Sequence, residues 1–193
     1  TIAMMVERGT AIDPTLAIHE ALLLGRNGET RIGVADYIEH MPVGLQRSAK
    51  VAWSDISSDA DDIAYRAAYD CIIGTVAKMH EAGIFIVMGT DMGGAFNQHR
   101  EMEIYEQAGF SKAEILKRAT SDMADYMGLG DDLGTIEQGK LADFFLVPGN
   151  PLDDLKAIKT IAMVMADGTV YYPTEIYEEI GIKPFVEVPA VSE

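Results

Sequence analysis

The chain has 193 residues, 48% of them apolar, enough to bury a core in one or two domains. Its 31 acidic residues against 15 basic ones leave a formal charge of −16. That balance argues against nucleic acid and anionic membrane surfaces as partners, since both are held by lysine and arginine.

At the start, Ile2 to Arg8 places apolar residues on one helical stripe and stops at Gly9. There is neither a basic region nor a long apolar core of the signal-peptide kind. The chain opens on Thr1 with helical character at once, so a truncated or processed chain is expected. Residues 10–16 read as a short strand running into a turn, with Pro14 fixing the exit. Asn27-Gly28 marks a turn within a polar stretch, and residues 31–56 read as short helices in a long excursion. Ser57 or Ser58 can cap a helix whose first turn carries Asp59, Asp61 and Asp62. Its apolar residues recur at three- and four-residue spacing as far as Met79, and Gly83 ends it. Cys71, the only cysteine, lies inside this helix. It excludes an intrachain disulfide and a thiolate metal cluster, and fits a reducing, cytoplasmic compartment.

The run Ile84 to Met92 follows, an apolar stretch ending in Gly89-Thr90-Asp91 with Gly93-Gly94 after it. It reads as a buried parallel strand delivering one carboxylate to its C-terminal tip, where barrel enzymes keep catalytic residues. A carboxylate in a mostly apolar setting is costly unless it meets a metal, a proton or a cation. Two helices are expected next, one over 98–108 ending at Gly109. The other opens with the capping box Ser111 to Glu114 and runs to Gly128. Beyond a boundary near residue 129, strands are expected at 144–147, 161–166 and 169–172. Asp167-Gly168 forms a type I′ hairpin signal between the last two. The segment 174–193 reads as a loose tail.

Several of these motifs, in this order, resemble the C-terminal end of the amidohydrolase superfamily. They are Gly89-Thr90-Asp91-Met92-Gly93, Arg100 to Glu103, Lys117 to Thr120, and above all the string from Leu133 to Phe144 with Gly149-Asn150-Pro151-Leu152. The closest look is to imidazolonepropionase-like and Xaa-Pro-dipeptidase-like hydrolases, over about residues 1–172. The resemblance implies an α/β fold, the C-terminal part of a (β/α)8 TIM barrel plus the C-terminal strands of a small β-sandwich. Residues 1–129 would carry strands seven and eight, and 130–173 the sandwich strands. It further implies a metal-dependent hydrolase of C–N bonds (amide, cyclic amide or peptide) acting through activated water. A divalent metal, zinc first among them, would be the cofactor and a small amide or peptide the substrate. Asp91 would be both metal ligand and catalytic carboxylate, and His99 and His19 would contact substrate.

The family takes its other ligands from earlier strands, including a His-x-His pair. The four histidines here, His19, His40, His80 and His99, show no such spacing. About 250 residues are typical of a barrel alone, so a C-terminal fragment is expected, and catalysis by this chain alone is not. Its partner would be the missing N-terminal barrel half or a second copy. The alternative is a non-catalytic interaction or assembly module derived from such a barrel. Among other charged residues, Glu101 and Glu103 cannot share a helix face and are expected to be solvated. One of the two could pair with Arg100 or Lys112. His80 is expected to cap its helix and His40 to sit in a loop.

Overall fold

A computed structural model describes residues 1–189. Helix α1 (Ile2–Glu7) leads through Gly9, at φ 60°, into the extended segment around Ile12. Helix α2 (Leu16–Leu24) follows. The excursion after it holds two single 3-10 turns (Ile32–Val34 and Ile38–His40) and α3 (Val43–Ser48). The long α4 (Asp59–Glu81) starts where the Ser58 hydroxyl accepts the Asp61 amide, as its sequence suggests.

The two expected strands, 10–16 and 84–90, shrink to one parallel bridge, Ile12 with Ile86. Ile12 N–H donates to Phe85 at 3.0 Å and Val87 N–H donates to Ile12 at 2.7 Å. The reason is visible on the second segment, where three consecutive carbonyls are taken by side chains. Arg118 donates to Ile86 at 3.0 Å, the Tyr105 hydroxyl to Val87 at 2.5 Å, and the Gln98 amide to Met88 at 3.4 Å. Helical side chains thus satisfy groups that a ladder would otherwise pair.

Helix α5 (Ala95–Gln107) begins three residues earlier than its sequence pattern suggests. Helix α6 (Lys112–Lys117) carries the full Ser111–Glu114 capping box and runs through a π-helical turn, Arg118–Asp122, into α7 (Met123–Tyr126). Strands β1 (Phe144–Leu146), β2 (Met163–Ala166) and β3 (Thr169–Tyr171) form an antiparallel sheet in that order. Asp167 and Gly168 both have positive φ, 48° and 71°, as a type I′ turn requires. The stretch after Pro173 is not a loose tail. It forms α8 (Pro173–Glu179) with Pro173 at its first position, a placement that costs no hydrogen bond. Beyond it the chain returns to the excursion, where Phe185 stacks on His40 with ring centres 4.0 Å apart. Residues 190–193 of the expected tail lie outside the described residues.

One core joins these pieces. Leu16, Ile86, Ile104, Tyr105 and Ile115 are fully buried together with Leu155 and Ile158 from a 3-10 turn, Leu155–Lys159. The segment beyond residue 129 is therefore anchored in the same core as the helices before it.

Candidate active site

Parallel pairing of Ile12 with Ile86 brings two chain segments to their C-terminal ends on one side, Asp13-Pro14 beside Gly89-Thr90-Asp91. The Asp13 carboxylate lies directly over Gly89, and a methyl group there would collide with Asp13 Oδ2. Only glycine permits that approach. Thr90 then shapes the turn. Its buried hydroxyl accepts the Met92 amide at 3.0 Å and donates to the Met92 carbonyl at 2.6 Å. Clamped between these groups, Asp91 takes a left-handed backbone (φ 51°), a conformation non-glycine residues rarely adopt and which is found at functional turns. Its carboxylate is exposed and lies in the wall of an open cavity of about 430 Å³. Aromatic Tyr37 and Phe96, stacked with ring centres 4.3 Å apart, form another part of that wall.

The two histidines expected to contact substrate sit elsewhere. His99 lines a second cavity with Met88, Met102 and Phe145, and its buried Nδ1 has no hydrogen-bond partner. Burial pushes its imidazole down to about 4, with Lys159 adding to the effect, so it is neutral near pH 7. His19 lies on α2 with Nδ1 2.9 Å from the Thr15 carbonyl oxygen. Neither histidine lines the cavity that holds Asp91. His80 stacks on Phe110 at 3.6 Å and faces Glu114 at 3.9 Å. His40 occupies a 3-10 turn with Nδ1 2.9 Å from the Lys183 carbonyl oxygen.

Glu101 and Glu103 correct the sequence reading. Both are buried. Glu101 receives the Leu16 amide at 2.8 Å and the Ala17 amide at 2.6 Å, so a side chain 85 residues away caps α2. Burial raises its carboxyl to about 7 against the pull of those two amides, with Asp13 and Glu20 adding to the rise. Glu103 binds Arg100 at 2.7 Å, as one of the expected pairings, and also Lys159. Arg100 forks onto Glu20 at 2.6 and 2.9 Å, tying α2 to α5, and the Glu103–Lys159 pair ties α5 to the 155–159 turn. Such pairing is what allows charges to be buried at all.

Among the described residues no three His, Cys, Asp or Glu side chains converge as a metal site. Asp91 offers a single carboxylate, and a site with three protein ligands would need further donors beside it. Asp13, the second acid at the strand ends, passes unnoticed in the sequence. The only signal for it is its place in Ile-Asp-Pro, mirroring Asp91 at the end of the neighbouring segment.

Residues 72–171 match the profile of the family described as Amidohydrolase family. Among curated proteins none matches the chain. Among solved structures, it is similar to a Xaa-Pro dipeptidase with methionine bound in its active site. That likeness is 24% identical with TM-score 0.61, over 89% of this chain and 36% of the other. It is also similar to a prolidase complexed with N-methylphosphonate-L-proline, at 19% identity and TM-score 0.59 over 89% of this chain and 37% of that one. Bottromycin amidohydrolase aligns at 20% identity and TM-score 0.61 over 90% and 41%. The chain spans about a third to two fifths of the length of these structures. With the profile covering just over half of its residues, the chain belongs to the amidohydrolase family.

Proposed function

We propose that this chain contributes the Asp91 end of a hydrolase active site acting on C–N bonds of amides or peptides. The observation that carries this reading is Asp91 itself, a carboxylate held in a left-handed turn by Thr90 just after the Ile12–Ile86 bridge and opening onto a cavity. A carboxylate so placed can take a proton from an attacking water and return it to a leaving nitrogen. The chain's place in the amidohydrolase family supports that chemistry. In the complete site, Asp91 would be one oxygen donor to a divalent ion, zinc by the family resemblance. The other donors would come from polypeptide outside these 193 residues, in the same chain or a partner, completing a (β/α)8 barrel. The three strands β1–β3 would then be one layer of the small sandwich.

The test is hydrolysis of a panel of dipeptides and N-acyl amino acids by protein isolated with its native partners. Turnover should fall at least a hundredfold in Asp91→Asn while the melting temperature stays within a few degrees, a loss of the size expected for general acid–base catalysis. An unchanged rate in that variant would remove Asp91 from the chemistry.

A second reading, an assembly module, is favoured by one feature. Ile136, 84% exposed, and Met127, 67% exposed, line a groove of about 600 Å³ with Phe145. Apolar surface gathered in this way marks interaction sites.

A further inference from the structure

The cavity that holds Asp91 is also lined by a charge that pairs with no acid among the described residues. The other half-buried arginines each meet a carboxylate: Arg26 with Asp62 at 2.6 Å, Arg100 with Glu20 at 2.6 Å, and Arg118 with Asp122 at 3.1 Å. Arg31 lines the same cavity as Asp91 and forms no ion pair among the described residues. That is notable in a chain with 31 acidic residues. Burial depresses the Arg31 guanidinium, and the Tyr37 hydroxyl is the group that acts in the opposite sense.

What Arg31 does meet is Trp53, whose ring centre lies 4.6 Å from the guanidinium carbon. A cation held over an aromatic face is anchored without spending its N–H donors on an ion pair. A planar fork of donors matches a carboxylate. Apart from Ser48 and Asn97 the rest of the wall is largely apolar, with Tyr37, Phe96 and Met41 prominent. A cavity of about 430 Å³ has the size of a small-molecule site. One cation and one carboxylate in the same lining suit a monoanion better than a phosphate dianion, which Asp91 would repel more strongly.

We propose that Arg31 is the carboxylate-recognising residue of a pocket built by residues 31–53 beside Asp91, taking small apolar or aromatic molecules with one free carboxylate. Calling that molecule a substrate rests on the hydrolase reading above; its binding does not. Trp53 and Arg31 both belong to the irregular excursion, so this stretch would set ligand preference while the Thr90–Asp91 turn supplies the reacting carboxylate.

Trp53 is the single tryptophan, so its emission reports on this pocket alone. The test is titration of the chain with N-acetyl-L-phenylalanine and, separately, with its neutral amide, followed by calorimetry and tryptophan fluorescence. The acid should bind at least tenfold more tightly than the amide and change Trp53 emission. Arg31→Met should erase that preference while keeping weak binding of the amide, and Arg31→Lys should keep part of it. Equal affinities for acid and amide would overturn the proposal. So would a preference that survives in Arg31→Met, or no binding of the acid at millimolar concentration. Circular dichroism checks the fold of each variant. If Arg31→Met does not fold, Arg31→Lys and the acid–amide comparison in the unaltered chain decide the matter. Binding is read without turnover, so failure here leaves the hydrolase reading standing, and a failed hydrolysis assay leaves the pocket standing.

Discussion

Glu101 and His99 are neighbours on α5 in two turns of helix, and burial drives both toward their neutral forms. For the acid, the folded value is raised from 4.5 to about 7. Its contribution to stability is therefore complete below pH 4.5 and is lost as pH rises through 7. For the imidazole, the folded value falls from 6.5 to about 4. Its contribution is present above pH 6.5 and is lost as pH falls toward 4. The two slopes oppose each other between about pH 4.5 and 6.5, and single substitutions separate them. Melting temperature in Glu101→Gln should rise from pH 4.5 to 6.5 more steeply than in the unaltered chain. In His99→Gln it should instead fall with pH over the same interval. Parallel curves for all three proteins would refute the assignment. Truncation in Glu101→Ala strands two amides at the start of α2 and should cost roughly 2–4 kcal/mol, measured by denaturant unfolding. None of this was legible locally. Glu101 and Glu103 read as solvated because a helix with Arg and Glu along it is ordinarily exposed, and their partners Leu16, Ala17 and Lys159 are 56 to 85 residues distant.

At the scale of elements, the turn that carries Asp91 depends on a contact between two segments that the sequence treats separately. Asp13 sits where a side chain on Gly89 would have to go. Gly89→Ala should destabilise the fold by about 1–3 kcal/mol through overpacking, and Asp13→Gly should recover most of that loss. A double-mutant cycle by urea unfolding measures it, and purely additive losses would show that the two do not touch. The elements themselves were largely readable. The Ser58 cap, the Ser111–Glu114 box and the Asp167-Gly168 turn are local chemistry, and each occurs where the residues place it. Strands at 10–16 and 84–90 were over-read because an apolar run states burial, whereas a ladder needs a partner along its length. Here Arg118, Tyr105 and Gln98 take three carbonyls in its stead. Helix α8 was missed for the complementary reason. The segment 174–193 reads as a tail, yet Pro173 stands at the first position of a helix, where proline is best tolerated.

For the whole molecule, family membership was legible in the string from Leu133 to Phe144 and in Gly89 to Gly93, and the family profile covers both. The constellation around Asp91 was legible only in part. Asp91 stands out by its own turn, but Asp13 and Arg31 enter the site through the tertiary fold alone. The exposed Met127, Ile136 and Phe145 belong to this scale too. We expect the isolated chain to self-associate through that groove, with light scattering giving a dimer or larger, and Ile136→Asp shifting it toward monomer. A monodisperse monomer at micromolar concentration would count against the assembly reading. The most direct test of the central claim is elemental mass spectrometry of the protein isolated natively with whatever it binds, alongside Asp91→Asn. The expected result is roughly one divalent ion per copy, in a site open to substrate, with most of it lost in the variant. A metal-free protein, or equal metal in both, would contradict it and leave Asp91 as a turn residue.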